Sequence, residues 1–317
     1  MTKQLSTMKP LLLRLLLLLN LPTYITAECA CVTVDSWENL KNTIESSSAN
    51  TNTALLRLCP FEVTKLNSEE GIIIPHSDIH IMCAKDTRED ECVINGTGPT
   101  GSNVSKNYDA IIIPDLDNVW LQGLTFRHAK KGAIKAHGQN IQIIDSVFEN
   151  CQSPPEYTGA VVEIVAGSTA TIIDSTFREN EGGAIQSHGF LTVTHCDFID
   201  NISTPVWISN DETESRGGGV GGAIMNGSGG YLMVYGSRFD GNVSDKNGPA
   251  IWSYTDDALD LGSNCGENNR IIDFRQLILG NDDTDETVLG YCDGIYYKHT
   301  SSNKGNLCAT FGGACAS

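Results

Sequence analysis

Basic residues are scarce in this sequence. Its 317 residues hold 21 Lys and Arg against 39 Asp and Glu, a formal charge of −18 with His neutral. A chain this acidic repels phosphate-rich surfaces, which excludes nucleic acid and bare anionic membrane as partners. It also disfavours polyanionic polysaccharide unless a cation bridges the two. Long apolar runs are equally scarce. The one present, LLLRLLLLL at 11–19, follows Lys3 and Lys9 and precedes a more polar TYITA. It is short for a bilayer and interrupted by Arg14, and Ala27 offers a small residue for cleavage, so residues 1–27 read as a secretory signal peptide. No later stretch resembles a membrane span, and the end, LCATFGGACAS, lacks the apolar tail of a lipid-anchor signal. Removing the signal takes away three basic residues and no acidic one, leaving 18 basic against 39 acidic.

Secretion gives the 11 cysteines a role, because in an oxidising compartment they crosslink more often than they bind metal. Cys83 and Cys92, which flank the charged loop AKDTREDE, are the first expected pair, and Cys308 with Cys315 closes another short loop. Cys29, Cys31, Cys59, Cys151, Cys196, Cys265 and Cys292 stay unassigned, and the odd count leaves at least one thiol free, buried or intermolecular. Sequons for N-glycosylation begin at Asn95, Asn103, Asn201, Asn226 and Asn242. The expectation is a secreted, extracellular glycoprotein.

Helical patterning long enough for a crossover is missing from the middle of the chain, which excludes Rossmann folds and barrels of alternating strands and helices. What recurs instead, about every two dozen residues, is an apolar run beginning Ala133-Ile134, Ala160-Val161, Ala184-Ile185, Ala223-Ile224 and Ala250-Ile251. Each is followed by an alternating segment and a second short strand ending in an aromatic: IQIIDSVF, ATIIDSTF, LTVTHCDF and LMVYGSRF. RIIDFRQLILGN closes the series with Ile278 in the aromatic place. Short Ile-, Val- and Thr-rich runs punctuated by Gly and Asn read as strands with tight turns, and a coil of such strands buries its inward side chains on the turns above and below. Phe126, Phe148, Phe177, Phe198 and Phe239 are expected to stack inside. Asn150, Asn180, Asn201 and Asn242 fall at turns, where asparagine tolerates left-handed backbone and bonds neighbouring backbone groups.

These repeats, FRENEGGAI with FIDN and FDGN, resemble the GGAI and FxxN signature of chlamydial polymorphic outer-membrane proteins and related secreted proteins. Over residues 110 to 280 the resemblance implies a right-handed parallel β-helix of the broad pectate-lyase-like superfamily. The fold class expected is therefore all-β, a single-stranded right-handed parallel β-helix with a short N-terminal capping helix. DSWENLKNTIESS, with Asp35 or Ser36 as N-cap, supplies that helix. The expected organisation is signal peptide 1–27, N-terminal cap 28–70, β-helix 71–290, and a Cys- and Gly-rich cap or tail 291–317.

The catalytic motifs of such folds are missing too. No GHG, RIK or NTD accompanies the acidic pairs, and neighbours along a strand point to opposite faces, so adjacent carboxylates do not flank one bond. Asp256, Asp257 and Asp260, or Asp282, Asp283 and Asp285, are the oxygen-rich places a calcium ion would choose; no other cofactor is expected. GAIKAHG and GAIQSHG put His137 and His188 in one place of two units, with Ile164 at that place between them. If Ile134 and Ile185 point inward, then Lys135, His137, Gln186 and His188 point outward on one sheet, and Trp252 and Tyr254 extend the face past Met225. Such a strip suits sugar rings. Histidines two rungs apart are about 10 Å apart, too far to share one metal ion unaided. The first functional expectation is a non-catalytic module binding polysaccharide or a cell-surface glycan or protein, in adhesion or extracellular matrix. The alternative is a polysaccharide lyase or glycosidase, for which Arg216, beside Asp211, Glu212 and Glu214 in the long 203–220 insertion, is the place to look.

Overall fold

The computed structural model describes residues 31–47, 54–66, 69–84, 92–97, 110–130, 132–152, 160–203, 221–244, 248–253, 259–271, 291–292 and 295–297. Ser36 is the N-cap of the helix Trp37–Glu45: it has extended backbone and its Oγ accepts the Asn39 N–H at 3.2 Å. Trp37, Leu40 and Ile44 lie on the helix face that is buried, and they join Leu58 and Ile72 in the core at the start of the coil. The helix therefore closes apolar surface that a bare first turn would expose.

Beyond it, the chain winds through three sheets in a fixed sequence. The first sheet takes Ala54–Leu58, Ile79–Cys83, Val119–Gln122, Ile141–Ile144, Thr169–Ile173, Phe190–Thr194, Tyr231–Tyr235 and Leu259–Gly262. The second begins with Phe61–Leu66 and ends with Cys265–Glu267, and the third runs from Ile72–Ile73 to Ile295–Tyr297. Every pairing between successive coils is parallel; Tyr291–Cys292 joins the third sheet antiparallel. A small fourth sheet of Ile202–Ser203, Val243–Ser244 and Arg270–Ile271 lies between the second and third along the chain. This is a parallel β-helix, with one core running its length.

The repeats produce this because equivalent residues stack. Phe126, Phe148, Phe177, Phe198 and Phe239 are each 0% exposed, and their rings stack with centroids 4.6 to 5.1 Å apart. Beside them Cys151, Asn180, Asn201, Asn242 and the half-buried Asn269 form a ladder. Each asparagine Oδ1 accepts the backbone N–H of the residue one coil earlier, and the Nδ2 of Asn180, Asn201 and Asn242 donates to the next Oδ1 at 2.8 to 3.0 Å. Those amides also bond the carbonyls of Phe148, Phe177 and Phe198. Unmade hydrogen bonds inside a dry coil are costly, and the ladder leaves few.

The two corners flanking the second sheet need left-handed backbone. After the first sheet the positions are Gly123, Asp145, Asp174, His195, Gly236 and Ser263; after the second they are His128, Asn150, Glu179, Asp200, Gly241 and Asn268, all with φ between 49° and 70°. Here three expectations are corrected. Asn150 takes the left-handed place and Cys151 the ladder place, because FENC is one residue shorter than FREN before its asparagine; Asn180, Asn201 and Asn242 bond backbone groups as expected, but as buried rungs without left-handed backbone. Ile134 pairs with Val162, so the repeat pair of that unit is Val161-Val162 and not Ala160-Val161. Gly266 lies opposite Phe239, so a coil through 265–267 takes the place assigned to Ile278, which is outside the described residues.

Cys83 and Cys92 are disulfide-bonded, as are Cys31 and Cys59, which the sequence left unpaired. Cys265 is also disulfide-bonded; Cys308 and Cys315 lie outside the described residues. Cys151 and Cys196 are free thiols in the core, and burial pushes both up to about 12, so neither is a thiolate at neutral pH.

Candidate ligand-binding faces

The third sheet carries the strip read from the sequence. Its outward row runs Lys135, Glu163, Gln186, Met225, Trp252 on successive coils. Lys135 Nζ meets Glu163 Oε2 at 3.0 Å. Gln186 points outward yet is only 4% exposed; its Nε2 lies 2.8 Å from His188 Nε2, and its Oε1 has no partner. His137 and His188 do share one place at the corner, His137 with its Nε2 3.9 Å from Asp115 Oδ1. The residue between them is Val165, not Ile164, which pairs with Ala136 and Ser187 inside the coil. A Cβ at Gly227 would sit 2.3 Å from the His188 ring, so the imidazole lies directly against that glycine and a larger residue there would displace the ring.

Tyr254, Asp256, Asp257, Asp282, Asp283, Asp285 and Arg216 with its neighbouring acids lie outside the described residues. Asp260 falls within the last strand of the first sheet. Among the described residues no group of three or more His, Cys, Asp or Glu is arranged to hold a metal ion. Of the sequon asparagines, Asn201, Asn226 and Asn242 are each 0% exposed. Asn95 is half-buried with Nδ2 donating to Glu62 Oε1 at 3.3 Å, and Asn103 lies outside the described residues.

A second face went unread in the sequence. On the outside of the first sheet, one row is Trp120, Gln142, Thr171, Thr192, Met233 and the next is Gln122, Ile144, Ile173, Thr194, Tyr235. Over five coils of an acidic protein, neither row carries a charged side chain. At its edge Phe190, 42% exposed, stacks on Tyr231 with centroids 4.8 Å apart and planes 10° apart. A shallow recess beside the rings is lined by Asn140, Thr169, Thr171, Phe190 and Thr192. Its polar rim is oriented: Gln142 Nε2 donates to Asn140 Oδ1, Asn140 Nδ2 to Asn118 Oδ1, and Asn118 Nδ2 to Asp78 Oδ1. The signal for this face was present in the alternation of TATII, FLTVT and YLMVY, whose odd residues all turn outward.

The second sheet carries the charge instead. Glu149 sits between Arg127 and Arg178 on adjacent coils and is hydrogen-bonded to both. Burial alone would push its carboxyl up, but the two guanidiniums outweigh that and hold it below the ordinary carboxylate value.

A family model described as the right handed beta helix region matches residues 93–213. No curated protein matches the chain. Sheet order, parallel register and that match together define an all-β, right-handed parallel β-helix. Among the described residues no helix is long and apolar enough to cross a membrane.

Proposed function

We propose that the protein is a secreted module that binds an uncharged polysaccharide or cell-surface glycan and does not cleave it. The observation that carries this reading is the pair of outward rows that run free of charge over five coils of the first sheet, between Arg57 at one end and Asp260 at the other, with exposed Phe190 stacked on Tyr231 at their edge. Sugar rings present C–H faces that stack on aromatics and a rim of hydroxyls that pair with Thr, Asn and Gln, the groups this face supplies. Coils repeat at about 4.8 Å, so a linear polymer lying along the coil axis meets similar chemistry at each step. The signal-like first 27 residues and the resemblance of the GGAI and FxxN repeats to chlamydial polymorphic outer-membrane proteins support an extracellular setting for adhesion or matrix. The test is to incubate the secreted protein, with and without calcium, on plant, algal and microbial polysaccharides and to read retention and new reducing or unsaturated ends. Retention of neutral glycans without new ends is expected. New ends on any glycan would overturn the non-catalytic reading in favour of a lyase or glycosidase.

A further inference from the structure

We propose that the third sheet holds a second site, separate from the first-sheet face, that takes a primary ammonium group carried on an amino-sugar polymer. It is centred on Glu163 and Gln186, neighbours in the outward row.

Three observations lead there. Gln186 is 4% exposed and its Oε1 has no partner, although a buried carbonyl of this kind ordinarily has one. The other end of the amide is fixed, since Nε2 donates to His188 Nε2 at 2.8 Å and the imidazole is seated against Gly227. The unused end is therefore an acceptor held in place and waiting for a donor. One coil away, Glu163 provides the charge; it already holds an ammonium, that of Lys135, at 3.0 Å, and both side chains are partly exposed, at 45% for Lys135 and 28% for Glu163. So exposed a pair contributes little, and an incoming ammonium exchanges for Lys135 at small cost. One coil to the other side is Met225, an apolar bed for a sugar ring.

The polarity selects the ligand. An acceptor next to a carboxylate, in a chain of net charge −18, favours a cationic donor and steers it in from solution. Acetylating the amine removes both its charge and two of its donors, so the free amine is what the site distinguishes.

The test compares the glucosamine hexamer with the N-acetylglucosamine hexamer by titration calorimetry at low ionic strength, on the full secreted protein. The glucosamine oligomer is expected to bind with a salt-sensitive affinity and the acetylated one to bind at least about tenfold more weakly. Glu163→Gln weakens the glucosamine hexamer by about tenfold, and Gln186→Met by about fivefold. Lys135→Ala, which removes the resident ammonium, tightens it by about threefold; a purely structural pair would give no gain. Thermal melts of each variant confirm folding, and Lys135→Ala and Glu163→Gln test the site even if the buried Gln186→Met fails to fold. Phe190→Ala should leave this binding unchanged, which separates it from the first-sheet reading. Equal binding of the acetylated oligomer, weaker binding by Lys135→Ala, or preference for a lysine hexapeptide over the sugar would overturn the proposal.

Discussion

Asn180 and Asn201 stand one coil apart with the Nδ2 of the first donating to the Oδ1 of the second at 2.8 Å, and Asn201 repeats the bond to Asn242 at 2.9 Å. Two of these amides, Asn201 and Asn242, begin sequons, and a glycan on Nδ2 would have to displace the bonds that close the coil. Glycopeptide mapping of the secreted protein is expected to find Asn201, Asn226 and Asn242 unoccupied. A glycan at Asn201 or Asn242 would contradict the buried ladder, and one at Asn226 would contradict its burial in the third sheet.

Asn201→Ala removes an acceptor that serves the N–H and Nδ2 of Asn180, and a donor to Phe177 O. A loss of about 3 kcal/mol in unfolding free energy is expected. Cys151 ends the ladder with a thiol, its Sγ already 3.4 Å from Phe126 O. Cys151→Asn would add one rung and stabilise by about 1 kcal/mol. Denaturant melts of the two variants should move in opposite directions.

Two phenylalanines should respond differently to truncation. Phe177 is sandwiched between Phe148 and Phe198 in the core, and Phe177→Ala is expected to destabilise by about 3–5 kcal/mol. Phe190 lies on the surface, so Phe190→Ala should shift the melt by less than about 1 kcal/mol while weakening retention of neutral glycan by about tenfold. Unchanged retention would remove the ring pair from the binding face.

Acid should loosen the second sheet. Glu149 is held below its ordinary pKa by Arg127 and Arg178, so its contribution is present above the ordinary carboxylate pKa and is lost as pH falls through the lowered folded value. Thermal melts across that acidic range should show a decline that Glu149→Gln partly removes, with the variant less stable at neutral pH.

The sequence made the coil legible because its strongest signals are also its physical repeat: Phe126, Phe148, Phe177, Phe198 and Phe239 fill the same slot, and each Ala-Ile after glycine opens the same strand. Two of the misreadings were single-residue slips, whereas the last coil was placed a dozen residues too late, at Ile278 instead of Gly266. TGAVVEI offers two valines for one inward place, and FENC lacks the residue that FREN has, so letters alone chose the wrong partner; parallel hydrogen bonding decides. The third-sheet strip was legible as a face, and its orphaned Gln186 carbonyl was not, since burial on an outward row depends on neighbouring coils. The first-sheet face was overlooked because uncharged Thr, Gln and Ile in alternation look like any strand, and their meaning comes only from five coils lying side by side.

Asn180 precedes Asn201 by 21 residues, and Asn201 precedes Asn242 by 41. Both steps are nevertheless one coil, closed by the same two hydrogen bonds to the next Oδ1. Such a scaffold measures distance in windings and is indifferent to how much chain is spent at a corner, so segments of almost any length can be added between rungs while the flat faces keep their pitch and order. Diversification of this protein would therefore proceed by lengthening corners, with its outward rows carried through unchanged as a ruler.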